Sequence, residues 1–299
     1  MAKVPWLNDT VRDSNLYNHP PVTIAPDKSL ATAYGKMYDN RTQHLRFRHL
    51  IVTNGGKVNG NFEGIISYGN FTLKTDINTI MLHHSHVSEA MTPASKTVSV
   101  GLDDTIETVV KHFVTKIGQH RHYIGLLPVR EDKNPNVIYA VISYVDILSR
   151  IKQGSFEVPS TTVAEIPYAK YPPESGKHFY HATPDTEFAE INFFFENEGI
   201  RTIPVIDGNT IVGLVTDRKF LDCIMRFSED ERFALKATDE YLMIPREELR
   251  LVKTTDFIKD ICGMLLEGDK PDALLVSDDN SSLKGIMSYV DVLRFFLED

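Results

Sequence analysis

The chain alternates short apolar runs with amphipathic stretches, and the same order returns four times. The apolar runs are short and rich in branched residues, which is typical of strands buried on both faces. They lie at residues 49–52, 123–129, 202–206 and 273–276. A stretch with helical spacing precedes each run, and the second one places four apolar residues on one helix face: Ile106, Val109, Val110 and Phe113.

After each apolar run comes a second strand that ends in a recurring phrase and leads into another helix. The phrase reads GIISYGN, AVISYVD, GLVTDRK and GIMSYVD, and its hydroxyl residues are separated by 76, 73 and 72 positions. A constant period of this length indicates four copies of one folded unit. Brief extended stretches ahead of the first helices complete the order β-α-β-β-α.

Composition limits the classes of partner and compartment. The 299 residues carry a net charge of −9, which argues against nucleic acid as the main partner because such binding relies on Lys and Arg. The chain has no run of 18 apolar residues and no signal-peptide pattern at its N-terminus, so we expect a cytoplasmic protein without a membrane segment. Cys223 and Cys262 are predicted to be buried thiols, and the histidine-rich stretch at 83–86 is not expected to bind a metal.

The repeating unit resembles the CBS domain, a ligand-sensing module named after cystathionine β-synthase. The resemblance rests on VSEAMTP from Val87, IRTIPVIDGNTIVGLVTD from Ile200 and SYVDVL from Ser288, and it covers the chain from about residue 10 onward. It implies an α/β (α+β) fold of four β-α-β-β-α repeats in two pseudo-twofold pairs. The boundaries of the repeats are predicted at residues 10–82, 87–155, 160–230 and 236–299.

In this family two repeats form a pair that encloses two clefts. The expected pairs are repeats one and two and repeats three and four, joined by a linker at 152–160 that contains Gly, Ser and Pro. Four repeats with little else resemble the gamma subunit of AMP-activated protein kinases. The His-Arg-Leu-Pro phrase of that subunit is not present, so kinase partnership does not follow. The sequence leaves open whether two pairs form a disk within one chain or in a homodimer.

The recurring phrase is the predicted ribose and phosphate site. In nucleotide-binding members of the family, the acid three residues after the hydroxyl binds the ribose, because a carboxylate can accept two hydrogen bonds from a diol. We therefore assign ribose binding to Asp146, Asp291 and, more weakly, Asn70, whereas Lys219 occupies the fourth position. The hydroxyls and nearby helix amides favour a phosphate; these residues are Ser67, Ser143, Thr216 and Ser288. The alternative is a helix-capping box without a ligand.

Basic residues at the starts of the buried strands are the other predicted phosphate ligands. They are Arg48, His49, His120, Arg121, His122 and Arg201. If the acid of one repeat meets the bases of its partner, Asp146 faces Arg48 and His49, and Asp291 faces Arg201. Each pair then has one good cleft and one poor cleft. The alternative is that these side chains only solvate strand ends.

The adenine pocket is expected to have apolar walls. Its candidate residues are Thr92, Val98, Ile124 and Gly125 around repeat two, and Leu251, Val252 and Ala273 around repeat four.

The resemblance implies a regulatory, non-enzymatic module that binds AMP, ADP or ATP, with Mg²⁺ needed only to accompany ATP. An unidentified protein would read its occupancy. The sequence contains no GxSxG, P-loop or HExxH motif, which favours this interpretation over an enzyme. Two alternatives stay open: a ligand-free scaffold for oligomerisation or docking, and a sensor of S-adenosylmethionine or a cyclic dinucleotide.

Overall fold

The four repeats follow the predicted order of strands and helices. The computed structural model describes residues 4–17, 20–42, 48–74, 84–117, 122–131, 134–174, 178–198, 200–267 and 273–298. In the first half the helices and strands are α1 (Val11–Ser14), β1 (Thr23–Ile24), α2 (Leu30–Thr42), β2 (His49–Thr53), β3 (Phe62–Ser67), α3 (Tyr68–Lys74), α4 (Val87–Ala90), β4 (Thr92–Pro93), β5 (Val100–Gly101), α5 (Ile106–Val114), β6 (Lys116–Ile117), β7 (His122–Tyr123), β8 (Leu126–Glu131), β9 (Asn134–Ser143) and α6 (Tyr144–Gln153).

The second half repeats this order with local differences. Its elements are β10 (Ala169–Lys170), α7 (Phe188–Asn197), β11 (Thr202–Asp207), β12 (Thr210–Thr216), α8 (Asp217–Arg226), α9 (Glu229–Phe233), β13 (Met243–Pro245), β14 (Leu251–Val252), α10 (Ile258–Leu265), β15 (Ala273–Val276), β16 (Gly285–Ser288) and α11 (Tyr289–Phe295). In repeat three the first strand is reduced to a single parallel bridge between Ala182 and Val205.

Local sequence signals define where the helices begin and end. Helix α5 begins after Thr105, whose side chain accepts a hydrogen bond from the Thr108 N–H, as expected of a threonine N-cap. The four apolar residues predicted for one face of α5 are all buried. Helix α6 ends at Gly154, which has a left-handed conformation (φ 80°) and donates its N–H to the Ile151 carbonyl at 3.0 Å.

Paired repeats exchange a strand. In repeat one, β1 runs parallel to β2, and β2 is antiparallel to β3. The next strand on that sheet is β4, which pairs with β3 although it belongs to the segment that opens repeat two in the sequence. In the other pair, β13 joins β12 of repeat three and β10 joins β16 of repeat four. Backbone hydrogen bonds therefore fasten the two members of each pair.

The sheets of paired repeats also share small apolar clusters. The first cluster joins repeats one and two and contains Ile51, Phe62, Ile65, Leu126, Ile138 and Val141. The second joins repeats three and four and contains Ile206, Ile211, Leu214, Leu275 and Leu283. The expected pairing of one with two and three with four is thus formed through the sheets.

The helices bury their apolar faces across the pairs. One large core combines repeats two and four, with α6 against α10 and α5 against α11. The other combines repeats one and three, with α3 against α7 and α8. Where repeats two and four meet, the rings of Tyr144 and Tyr289 stack with centroids 3.9 Å apart. The two pairs therefore associate within one chain, which the sequence had left open.

The predicted linker is tied to the N-terminal segment. Trp6 stacks on Phe156, with ring centroids 4.5 Å apart, and its indole Nε1 donates to the Glu157 carbonyl at 2.9 Å. The same indole also packs against Phe296, which directly follows α11, with ring planes at 71°. Phe156 thus anchors the linker in the core between repeats two and four, while most other linker residues are exposed.

Two smaller expectations can be compared with the structure. Cys223 and Cys262 are both buried free thiols, as predicted, and burial raises the pKa of each to about 12. Within the described ranges, no helix has the length and apolar character that crossing a bilayer requires.

The stacked tyrosines give a test of the contact between repeats two and four. We expect Tyr144→Leu and Tyr289→Leu to show a coupling free energy of about 0.5–1.5 kcal/mol in a double-mutant cycle, because stacked aromatic pairs add this much beyond area burial. The measurement is chemical denaturation of the wild type, both single variants and the double variant. The control cycle replaces Tyr289 and Tyr241, since Tyr241 packs on Phe227 in repeat three, and should be additive. Additive behaviour of Tyr144 and Tyr289 would contradict the contact.

Candidate functional site

The acid of repeat four is held at the junction between β16 and α11. The backbone N–H and the hydroxyl of Ser288 both donate to Oδ2 of Asp291, each at 2.7 Å. The side chain of Asp291 is 18% exposed, and Nη1 of Arg294 lies 3.9 Å from Oδ1. Burial is the main cause that raises the pKa of Asp291, because the charged form loses hydration. One carboxylate oxygen is thus committed to Ser288, while the other has no short hydrogen bond to the described residues.

A cleft of about 320 Å³ lies between repeats three and four beside this acid. It contains four of the predicted site residues, with Asp291, Ser288 and Ala273 from repeat four and Arg201 from repeat three. Ala273 is the strand partner of Ser288. The remaining lining residues are Tyr123, Ala169, Tyr180, Glu198, Ile200, Thr202, Ile286, Tyr289 and Val290. The expected meeting of Asp291 with Arg201 in one cleft is therefore what the structure has.

Tyr123 brings the other pair into this cleft. Nη2 of Arg201 donates to the Tyr123 carbonyl at 3.1 Å, and Nη2 of Arg294 donates to the Tyr123 hydroxyl at 3.1 Å. The Arg294 guanidinium also lies 6.0 Å from the centre of the Tyr123 ring. A residue of repeat two thus forms part of the cleft between repeats three and four.

A second polar pair, Tyr180 and Glu198, lines the same cleft. The Tyr180 hydroxyl donates to Oε2 of Glu198 at 2.7 Å, and this hydrogen bond is the main cause that raises the pKa of Tyr180. Sequence reasoning missed Tyr123, Tyr180 and Glu198. The sequence did carry a signal for Glu198, because this residue stands only three positions before the predicted phosphate ligand Arg201.

The hydrogen bonds from the serine to the side chain three residues later recur in repeats one and two. In repeat two, Oδ2 of Asp146 accepts from the Ser143 N–H at 2.6 Å and from its hydroxyl at 2.7 Å. In repeat one, Oδ1 of Asn70 accepts from the Ser67 N–H at 2.8 Å and from its hydroxyl at 2.7 Å. The recurring phrase therefore forms a helix cap, which the sequence had allowed as the alternative to a ligand site. Capping alone does not exclude a ligand at the aspartates, because it uses one carboxylate oxygen.

In repeats one and three, the side chain at the position of the acid hydrogen-bonds to other groups of the protein. Nδ2 of Asn70 donates to the Ala90 carbonyl at 3.1 Å and to the Thr92 hydroxyl at 3.3 Å, so both ends of this amide have protein partners. In repeat three, the Lys219 N–H donates to the Thr216 hydroxyl at 3.2 Å. The Lys219 ammonium donates to the Glu240 carbonyl at 3.2 Å.

The bases predicted to face Asp146 lie where three repeats meet. Nη2 of Arg48 is 3.7 Å from Oδ1 of Asp217 in repeat three, and these side chains are 11% and 8% exposed. A Cβ at Gly125 would lie 2.9 Å from Cε1 of His49 and 3.7 Å from Nη1 of Arg201. Only glycine fits at position 125 without displacing His49. Repeats one, two and three therefore approach closely at this point.

Other predicted residues lie elsewhere or outside the described residues. Val252 is fully buried in the core between repeats two and four, and Val98 and Ile124 pack against that core. Leu251 packs on the small cluster between the sheets of repeats three and four. His120 and Arg121 fall outside the described residues, and His122 belongs to β7.

The histidine-rich stretch supplies a helix cap in its described part. The His86 N–H donates to Oε1 of Glu89 at 3.2 Å at the start of α4. In the described ranges, no group of three or more His, Cys, Asp or Glu side chains is arranged to hold a metal ion.

Comparison with known families agrees with this repeat architecture. The family model described as "CBS domain" matches residues 11–72 and 176–226, which lie in repeats one and three. The chain therefore contains CBS-domain sequence in these two repeats. The other two repeats, two and four, have the same order of strands and helices.

Two archaeal proteins share the four-repeat fold. An uncharacterized protein of Methanocaldococcus jannaschii, MJ1225, is 23% identical over 93% of this chain and 96% of its own length. The crystal structure of MJ1225, proposed as an archaeal homologue of g-AMPK, aligns with a TM-score of 0.75 at 20% identity over 95% of this chain and 99% of that one. A conserved protein of Pyrococcus horikoshii aligns with a TM-score of 0.58 at 17% identity, over 95% and 98% of the two chains.

The buried acid of the cleft predicts a pH-dependent change in stability. Because burial raises the pKa of Asp291 in the folded state, its contribution favours folding at low pH and is lost as the pH rises through the folded-state pKa. We expect Asp291→Asn to raise the melting temperature at pH 7, and the gain to shrink as the pH falls through the raised folded-state pKa and to vanish below the unfolded value of about 4. Asn can keep both Ser288 hydrogen bonds, as Asn70 does with Ser67.

The measurement is a set of thermal melts from pH 3 to pH 8, with exposed Asp230→Asn as the control. A gain that is absent at pH 7, or that grows toward acid pH, would show that the charge of Asp291 is not the destabilising factor.

Proposed function

We propose that the chain is a non-catalytic regulatory protein whose cleft between repeats three and four binds an adenine nucleotide, AMP, ADP or ATP. The supporting observation is that Asp291 and Ser288 of one repeat and Arg201 of its partner line a single cleft of about 320 Å³. This volume is at the lower end of the range of small-molecule pockets, about 300–1,000 Å³. We also propose the four repeat boundaries given by the sequence.

Each group in the cleft has a distinct proposed role. Oδ1 of Asp291 accepts hydrogen bonds from the ribose hydroxyls, while Oδ2 stays bound to Ser288. Ser288 is a positioning residue, because its single hydroxyl hydrogen is already donated to Asp291. Arg201 binds the phosphate. Ala273 and Ile286 contribute apolar wall against the base.

A second site is proposed at Asp146 in the other pair. Its cap has the same geometry as that of Asp291, with Ser143 donating twice to one carboxylate oxygen. Its expected cation, Arg48, lies 3.7 Å from Asp217. A phosphate at this site has to compete with a carboxylate that is already present, so we expect weaker binding here than at Asp291.

Occupancy of the Asp291 cleft can reach the other pair through Tyr123. This residue of repeat two lines the cleft and accepts a hydrogen bond from Arg201. A ligand that draws Arg201 toward its phosphate changes that hydrogen bond, and the protein responds to the extent that the ligand prefers one arrangement over another. A partner protein then reads the altered contact between pairs. The fold shared with MJ1225, proposed as a homologue of g-AMPK, is consistent with such a role.

The proposal predicts the effect of removing the ribose-binding acid. We expect Asp291→Ala to weaken AMP binding by about 10-fold to 100-fold, since a hydrogen bond to a charged group contributes about 1.5–3 kcal/mol. Asp291→Ala combined with Asp146→Ala should abolish binding. Isothermal titration calorimetry at pH 7 measures both affinity and stoichiometry.

Glu231→Ala is a matched control for this experiment. Glu231 is also the acid of a capping box, with Ser228 donating to its Oε2, but it caps α9 and does not line the cleft. Its loss should lower stability without changing affinity. Unchanged AMP affinity in the double aspartate variant, or no heat with any adenine nucleotide, would favour the scaffold alternative.

A further inference from the structure

The carboxylate of Glu198 lines the proposed nucleotide cleft together with Arg201. Among the described lining residues the charged side chains are Arg201, Asp291 and Glu198, so acids outnumber bases. Asp291 is accounted for by the ribose. Glu198 has no role in holding an anion, and its negative charge opposes any phosphate that extends beyond Arg201.

The helix terminus at Glu198 gives no reason for an acid at this position. Glu198 is the C-cap of α7, where its N–H donates to the Phe194 carbonyl at 3.2 Å, and no basic residue occupies the last turn. The C-terminus of a helix carries a partial negative charge, so an acid there is unfavourable. A neutral or basic residue would serve the helix better.

Tyr180 holds this carboxylate in place. Its hydroxyl donates to Oε2 of Glu198 at 2.7 Å, and its ring packs against Phe194 with centroids 5.7 Å apart. Tyr180 itself lines the cleft. Tyr180 therefore gives the exposed carboxylate of Glu198 a hydrogen-bond partner at the cleft, and Tyr180 has no other hydrogen bond there among the described groups.

We propose that Glu198, held by Tyr180, makes this cleft select adenosine or its monophosphate over the diphosphate and triphosphate. This inference rests on the proposed nucleotide function and adds its selectivity. Arg201 offers one cation, and it already donates to the Tyr123 carbonyl. A single phosphate can share that arginine, whereas each further phosphate brings negative charge toward Glu198 without a second lining cation among the described residues. Specificity then arises from a repulsive element that acts against the larger ligands.

The test compares affinities across adenosine, AMP, ADP and ATP, measured by calorimetry without divalent cations, which would mask phosphate charge. In the wild type we expect AMP to bind more tightly than ADP, and ADP more tightly than ATP. Glu198→Gln should raise ATP affinity by about fivefold or more and leave adenosine affinity within about twofold. At about 1 M salt the wild-type preference should shrink, because the Debye length falls to about 3 Å.

Two further variants separate selectivity from general effects. Glu190→Gln removes an exposed acid from the same helix that does not line the cleft, and it should leave the AMP-to-ATP affinity ratio unchanged. Tyr180→Phe keeps the ring but releases the carboxylate, so it should lower that ratio toward the value of Glu198→Gln. Binding of AMP with a ratio that Glu198→Gln does not alter would overturn the selectivity role and leave the nucleotide function standing. No binding of any member of the series would overturn both.

Discussion

The fold depends on the burial of helix faces between repeats that do not share a sheet. Each repeat places two amphipathic helices beside a small sheet, and the two large cores that bury their apolar faces each combine two repeats. Sheets and exchanged strands fasten repeat one to two and three to four, whereas the helices bury their faces between one and three and between two and four. Every repeat thus needs two different neighbours. Burial of apolar area is the main favourable term in this assembly.

That requirement also explains why the candidate site draws residues from three repeats. Residues at the starts of the buried strands in repeats one, two and three approach closely where the pairs meet, and there is little room between them. Gly125 shows how little, since a Cβ there would lie 2.9 Å from His49. Tyr123, two residues earlier, reaches into the cleft of the other pair and is held by Arg201 and Arg294. A site at such a meeting point is sensitive to the relative position of the pairs.

The sequence was sufficient to predict elements that repeat with a period, and insufficient where repeats differ. The buried strands and both helices of each unit follow from apolar patterning, whereas the pairing of repeats was implied by the resemblance to the CBS family. The placement of Asp291 and Arg201 in one cleft was expected because the CBS resemblance implies that the acid of one repeat faces the bases of its partner. Val252 could not be separated from wall residues such as Ala273, because both are apolar strand residues and only packing shows that Val252 faces the core. Tyr180 lies before a helix, where no periodic signal marks its contact with Glu198.

The two contacts across the pairs differ in the residue that they use at one position of the repeat. The residue after the hydroxyl is Tyr68, Tyr144, Asp217 and Tyr289 in the four copies. Tyr144 stacks on Tyr289 between repeats two and four, but Asp217 of repeat three faces Arg48 of repeat one.

A buried ion pair of this kind is a weak source of stability, because losing hydration offsets most of its Coulomb attraction. What the ion pair does provide is a penalty against packing repeat three on the wrong neighbour. If repeat three packed against repeat two instead, Asp217 would be buried without Arg48, which is strongly unfavourable for an uncompensated charge. Asp217, the one residue at this position that is not tyrosine, therefore favours packing of repeat three against repeat one over packing against repeat two. Its partner Arg48 is also the arginine that a phosphate would require in the first pair.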